Sequence, residues 1–300
     1  MPTQGHTPII EGCYINDFEN REKGAQSMII VASDVHLGYD KCNYEAFISF
    51  LNKCNSSGID HLVLLGDLLD FWRRNSAEII MDEKYAEIFD LLDNLAVKDI
   101  HYIVGNHDYH MLRLNERYKK EYDTTVFPFT IRPSLRLLDN GSAFYFIHGY
   151  ELEVLLNLKP LDVESYETLS DHMCSGGDII GGLASHMWDI VQRLRLQQKF
   201  IDLNKAPHER GTIDNIEKFA ESKGAYMLLG MKHGEKLVFG HTHKPFINDN
   251  RTVANSGAWV NEVTNEQPQN TYVKISNGQM ELKTFDEKDF PYFLLRIKSI

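Results

Sequence analysis

Five short apolar runs in this chain of 300 residues end on the same kind of residue. Met28-Ile-Ile-Val-Ala32 runs into Ser33-Asp34-Val35-His36-Leu37-Gly38, and Leu62-Val-Leu-Leu65 runs into Gly66-Asp67-Leu68-Leu69-Asp70. Ile100-His-Tyr-Ile-Val104 runs into Gly105-Asn106-His107-Asp108, Phe144–Ile147 into His148-Gly149, and Leu237–Phe239 into Gly240-His241-Thr242-His243. Short continuous runs of this composition read as buried strands. Helical spacing separates the first three: Phe47, Phe50 and Leu51 within 43–54, then Tyr85, Ile88, Phe89, Leu92 and Leu95. The order β-α-β-α-β predicts parallel strands with helices outside. In such sheets ligands bind beyond the carboxyl ends of the strands. The fold must therefore gather Asp, His and Asn from five strand ends at one edge.

Those residue types suit a metal pair. Asp-x-His on an extended segment sets a carboxylate and an imidazole on one face, and His-x-His does the same with two imidazoles. The donors are carboxylate, amide and imidazole, with no thiolate among them. That set favours Mn, Fe or Zn over Ca, which takes oxygen alone. Each motif is weak by itself: Gly-Asp after a strand is usually a turn, and a single histidine at a strand end is more often a core residue. The ordered set, with every member at a strand terminus, carries the reading. His6, His61, His101, His172, His186, His208 and His233 have no such setting and read as structural or surface residues.

The set Asp34-Val-His36, Gly66-Asp67, Gly105-Asn106-His107-Asp108, His148 and Gly240-His241-Thr-His243 resembles the calcineurin-like metallophosphoesterase superfamily, over roughly residues 28–285. The resemblance implies an α/β fold, a four-layer αββα sandwich of two mixed sheets with a dinuclear site at one edge. It implies that Asp34, His36 and His243 hold one ion, that Asn106, His148 and His241 hold the other, and that Asp67 bridges both. It further implies two divalent transition-metal ions, Mn first and Fe or Zn as alternatives, with a bridging hydroxide that attacks phosphorus. His107 is expected to be catalytic rather than a ligand, protonating the leaving group or steadying charge on the phosphoryl oxygens. Asp108 is expected to orient His107.

Around this core the chain divides into a polar extension over 1–27, a main domain over 28–285 and a tail over 286–300. Ser134–Leu138 and Ala143–Ile147 flank Asp139-Asn140-Gly141, a hairpin signal. Lys236–Phe239, Thr252–Ala254, Thr271–Ile275 and Met280–Thr284 read as further strands, the last two joined at Asn277-Gly278. Residues 150–234 read as a helical insertion. No run approaches the roughly 18 apolar residues of a membrane helix. Four scattered cysteines without Cys-x-x-Cys, and an N-terminus without a signal pattern, point to the cytoplasm. A net charge of −12 argues against general nucleic-acid binding.

Gly66-Asp67-Leu-Leu-Asp70-Phe71-Trp72 and the long insertion look like the UDP-2,3-diacylglucosamine pyrophosphatases and their relatives. In that group the insertion is a lid over a lipid groove. Ile180, Leu183, Met187, Ile190, Val191, Leu194 and Ile201 make an apolar helical stripe, compatible with packing, a lipid chain or peripheral membrane contact. Arg193, Arg195 and Arg210 are the candidates to bind substrate phosphate, because guanidinium pairs phosphate bidentately. That group carries Arg where this chain has His107, so another phosphodiester or diphosphate fits the sequence as well as a UDP-sugar or lipid-linked one. A metal-dependent nuclease and a cyclic-nucleotide phosphodiesterase are the alternatives.

Overall fold

The alternation of side chains along each strand decides the layers. In β1 (Met28–Ala32), Ile29 and Val31 face one way, Ile30 and Ala32 the other, and all four are buried. Both faces of the sheet must therefore be covered. The computed structural model describes residues 27–157, 162–175, 213–261 and 269–286.

The first sheet adds β2 (His61–Leu65), β3 (Asp99–Ile103), β4 (Thr130–Arg132), β10 (Thr271–Ser276) and β11 (Gln279–Thr284) to β1. Its six strands lie in the order β11-β10-β1-β2-β3-β4. Strands β1 to β4 are parallel, while β10 lies antiparallel on β1 and pairs antiparallel with β11. The second sheet is built from β5 (Ser134–Asp139), β6 (Ser142–Ile147), β7 (Lys236–Phe239), β8 (Phe246–Ile247) and β9 (Val253–Asn255). Their order is β5-β6-β7-β9-β8. Parallel β6-β7-β9 pairs sit between antiparallel β5 and β8. Asn140 and Gly141 between β5 and β6, and Asn277 and Gly278 between β10 and β11, all have positive φ, as a type I′ hairpin turn requires.

Ile29, Val31, Val63, Leu65 and Ile103 meet Phe144, Phe146, Val238 and Ala254 between the sheets. The opposite face of the first sheet, with Ile30, Leu62, Leu64 and Tyr102, packs on helices. They are α1 (Tyr44–Asn55), α3 (Ala86–Asn94) and α4 (Met111–Tyr122), with the short α2 (Ser76–Ile80) before α3. The outer face of the second sheet, with Tyr145, Ile147, Leu237 and Phe239, is covered from the 150–234 stretch. Leu152 of α5 (Tyr150–Asn157), Ile216 and Ala220 of α7 (Ile213–Ala220), and Ala225 of α8 (Lys223–Leu228) supply the cover. Between them in sequence, α6 (Val163–Ser175) packs Tyr166 against Tyr150 and Val154 of α5. The result is four layers: helix, sheet, sheet, helix. Each fully buried Leu or Phe in them contributes about 1.5–3 kcal/mol.

Asp139 fastens one end of the sandwich. Its carboxylate accepts from the Ser27 N–H and hydroxyl and from the Gly278 N–H. No helix among the described residues is long and apolar enough to cross a membrane. Arg193, Arg195, Arg210 and the apolar stripe from Ile180 to Ile201 lie outside the described residues.

Candidate metal centre

The loops that leave the strands do so in an unusual backbone conformation. Asp34, His36, Asp67, His241 and His243 all have φ between 52° and 65°. This left-handed region costs a non-glycine residue on the order of 1–3 kcal/mol. The expectation that Asp34-Val-His36 and His241-Thr-His243 are extended segments is therefore corrected. Each of these residues turns its side chain into the site from its own left-handed kink. Neighbouring loops hold the kinks in place: the Asp34 N–H donates to Gly66 O (3.0 Å), His36 N–H to Asp67 O (2.8 Å) and Leu37 N–H to Leu68 O (2.8 Å). The Gly240 N–H donates to His148 O (2.7 Å), which ties the ends of β6 and β7 together.

Two glycines are required by close approach. A Cβ on Gly105 would overlap Asp67 Oδ1, and one on Gly240 would overlap Ser33 Oγ and press on Asp34 Oδ2.

The expected ligands fall into two groups. Asp34, His36 and His243 present ligand atoms within 4.8 Å of one another, and so do Asp67, His148 and His241. In the first group His36 Nε2 lies 3.2 Å from His243 Nε2, and His243 Nε2 lies 3.3 Å from Asp34 Oδ1. Between the groups, Asp67 Oδ2 lies 3.2 Å from His148 Nε2 and 3.7 Å from His36 Nε2. Its other oxygen accepts from the His107 N–H (2.9 Å). Asn106 is buried after β3.

The site has the chemistry of a cation pocket. Asp34 Oδ1, Asn106 Oδ1 and His148 Nε2 are buried without a well-aligned hydrogen bond, a costly state for polar atoms unless a ligand satisfies them. The rings are held by their far nitrogens, an arrangement that fixes the tautomer of a metal-ligating histidine. His148 Nδ1 meets Leu65 O at 2.9 Å, His36 Nδ1 meets Asp70 Oδ2 at 3.0 Å, and His241 Nε2 meets Glu153 Oε2 at 2.7 Å. Burial pushes the Asp34 and Asp67 carboxyls up. His148 in front of each, with His243 beside Asp34 and His107 beside Asp67, nonetheless holds them below the ordinary carboxylate range. Burial pulls His148 down, and the same two carboxylates overcome it and push the imidazole up to about 10. The pocket demands positive charge, and its donors fit divalent ions.

His107 sits at the mouth. Its side chain is 12% exposed, against 0% for His148. Its ring stacks on Trp72 with centroids 4.3 Å apart. Its Nδ1 lies 2.9 Å from Asp70 Oδ1. Asp70, not Asp108, is thus the carboxylate against the His107 ring, and the orienting role expected of Asp108 is corrected. Asp108 is fully buried and accepts from the N–H groups of Leu68 (2.7 Å) and Gly105 (2.7 Å) and from the Tyr102 hydroxyl. Burial, with the Asp67 charge nearby, pushes its carboxyl up to about 6. Asp108 shapes the loop; it does not face the mouth. Two partners of the site are absent from the sequence expectations. Asp70 stands in a legible Gly-Asp-x-x-Asp spacing, whereas Glu153 reaches His241 from α5 with no local signal. Helix α6 also touches this loop, where the Cys174 thiol donates to His107 O (3.1 Å).

Among solved structures the chain is similar to the phosphoesterase Yfce from E. coli, at 18% identity over 86% of this chain and 93% of that one, with a TM-score of 0.42. It is also similar to an archaeal phosphodiesterase (13% identity, 85% and 98% covered, TM-score 0.41) and to a dimetal phosphatase from Danio rerio (12%, 87% and 99%, 0.41). No curated protein matches the chain. The family model of the calcineurin-like phosphoesterases matches residues 27–245, a stretch that takes in all five strand ends. The chain belongs to that family and is a metal-dependent phosphohydrolase.

Proposed function

We propose that this protein hydrolyses a phosphodiester or diphosphate bond at a pair of divalent transition-metal ions. Asp34, His36 and His243 hold one ion, Asn106, His148 and His241 the other, and Asp67 is shared. The observation that carries the reading is the position of Asp67 Oδ2, between His148 Nε2 at 3.2 Å and His36 Nε2 at 3.7 Å, one imidazole from each group. When bound, such a pair supplies Lewis acidity toward phosphoryl oxygens and lowers the pKa of water. Manganese suits the nitrogen and oxygen donors, and iron or zinc takes the same set.

The chain's own residues do the rest. His107, with Nδ1 against Asp70 and its face on Trp72, presents Nε2 to the leaving oxygen or to a phosphoryl oxygen. Arg193, Arg195 and Arg210 are proposed to bind the part of a diphosphate beyond the attacked phosphorus, on their charge alone. A lipid or UDP-sugar arm on that substrate rests on the apolar stripe from Ile180 to Ile201. The buried free thiols of Cys42, Cys54 and Cys174 support a reducing, cytoplasmic setting.

The test combines metal counting with a panel of Mn-loaded reactions on aryl phosphomonoesters, aryl phosphodiesters, cyclic nucleotides, DNA and UDP-sugar lipids. Asp67→Ala is expected to lose both ions and turnover together. Retention of both ions by Asp67→Ala would refute the shared ligand. Activity on monoesters alone would refute the diester reading, and salt-sensitive cleavage of DNA would move the protein to the nucleases.

A further inference from the structure

Two histidines with no setting in the sequence meet at the opposite end of the first sheet. His61 opens β2, and Asp99 opens the parallel β3 directly beside it in register. His101 lies two residues further along β3, opposite Val63. Because side chains alternate, His61 shares its face with Val63 and Leu65, while Asp99 and His101 share theirs with Ile103. Val63, Leu65 and Ile103 all belong to the layer between the sheets. The trio thus closes the far rim of that layer. At about 3.3 Å per residue along a parallel strand, His61 stands roughly 20 Å from Asp67.

The geometry is that of donors around a common centre. Ligand atoms of all three side chains lie within 4.8 Å of one another. His61 Nδ1 lies 3.1 Å from His101 Nε2 and 3.4 Å from Asp99 Oδ2. Donors about 2.0–2.1 Å from a tetrahedral ion stand about 3.3 Å from one another. The His61 and His101 ring centroids are 5.2 Å apart. The ring pairs in the dinuclear pocket have the same spacing, 5.1 Å for His36 with His243 and 5.2 Å for His148 with His241. His61 is buried, and the Asp99 side chain is 43% exposed, so the trio is anchored on one side and open to solvent on the other. The contact between the rings and the His61–Asp99 ion pair bring the three side chains together, at separations that a single cation among them would match.

We infer that His61, His101 and Asp99 form an independent site for one borderline divalent cation, Zn²⁺ foremost, which clips β2 to β3 at the end away from catalysis. Two imidazoles and a carboxylate match the donor preference of Zn²⁺ and leave a fourth position for water. Such a clip acts on stability and not on turnover, since none of its residues reaches the dinuclear pocket.

The experiment counts Zn²⁺ by mass spectrometry on the full-length protein after chelator stripping, equilibration with Zn²⁺ and gel filtration. His101→Gln and Asp99→Asn are compared with the wild type, both alone and in an Asp67→Ala background. The expected result is one Zn²⁺ per chain fewer in His101→Gln in either background, with Mn-supported turnover unchanged in the single variant. Asp99→Asn, at a half-exposed position that does not threaten the fold, is expected to weaken Zn²⁺ at least tenfold in a competition titration. Cobalt substitution gives a second readout, a visible band present in Asp67→Ala and absent from its His101→Gln double variant. Equal Zn²⁺ in the wild type, His101→Gln and Asp99→Asn would overturn the inference. Failure of the dinuclear reading looks different: the wild type and Asp67→Ala would then bind equally, while the difference made by His101→Gln would stand.

Discussion

The Asp70 carboxylate touches three functional groups at once: His36 through Nδ1, His107 through Nδ1, and the guanidinium of Arg73. Arg73 in turn lies over the Tyr39 ring at 4.2 Å. Asp70→Asn can satisfy only part of this arrangement, so it should lower kcat about 10–100-fold, the usual cost of losing a partner behind a ligand. His107→Ala should lose more turnover, about 10²–10⁴-fold, while keeping both ions. Steady-state kinetics with metal analysis separates the two. The His107 ligand atom lies within 4.8 Å of those of His36 and Asp67, so an emptied site in His107→Ala would make it a ligand instead. Glu151 carries a pH signature of its own. It is buried beside the Gly149 N–H, and burial pushes its carboxyl from 4.5 up to about 7. The folded chain therefore holds this proton more tightly than the unfolded chain between those values. Stability falls as pH rises through that window and is flat beyond it. Glu151→Gln should remove the slope and raise stability at pH 8 by at most about 3 kcal/mol, at roughly 1.4 kcal/mol for each tenfold change in proton affinity. Chemical denaturation of the metal-free protein at pH 5 and pH 8 checks the sign. A larger gain at pH 5 would refute the account.

At the scale of elements, what is legible in the sequence follows from periodicity. The strands that feed the site are apolar on both faces, so their runs stand out. Two strands escape detection because they are too short to have a pattern. β4 has three residues between Pro128 and Pro133, and β8 has two directly after Pro245. Helix α4 escapes because only Met111 and Leu114 of its twelve residues are buried, and much of its remainder is charged. The site residues are legible as a set, but their backbone is not, since no local rule puts Asp or His at positive φ. The ring partner of His107 is not legible, because the adjacent Asp108 turns its carboxylate into the loop while Asp70 reaches the ring from the loop after β2. Gly105 tests how tightly the elements are fitted. Gly105→Ala puts a methyl group against Asp67, and it should destabilise by about 1–3 kcal/mol and weaken metal binding. Gly224→Ala, in α8 with its nearest contact at 3.4 Å, should be neutral or stabilising by up to about 1 kcal/mol. Thermal unfolding of the two variants side by side is the check.

At the scale of the whole molecule, the order of strands in the first sheet has a consequence for how the protein is made. β1 is an interior strand, and one of its two neighbours, β10, pairs Met28 with Ser276 and Val31 with Val273. Until β10 emerges from the ribosome, one side of β1 is an unpaired, apolar strand edge, the kind of surface on which nascent chains join one another. The other side can close early, on β2, from residues close in sequence. A chain ending at residue 268 keeps all of the expected metal ligands and should nonetheless collect in the insoluble fraction on expression, while the full chain stays in the supernatant. Soluble, metal-loaded protein from the shortened gene would mean that the first sheet closes without its late strands. The last expected metal ligand, His243, is thus made before the strand that completes the first sheet, so the chemistry is spelled out ahead of the frame that has to hold it.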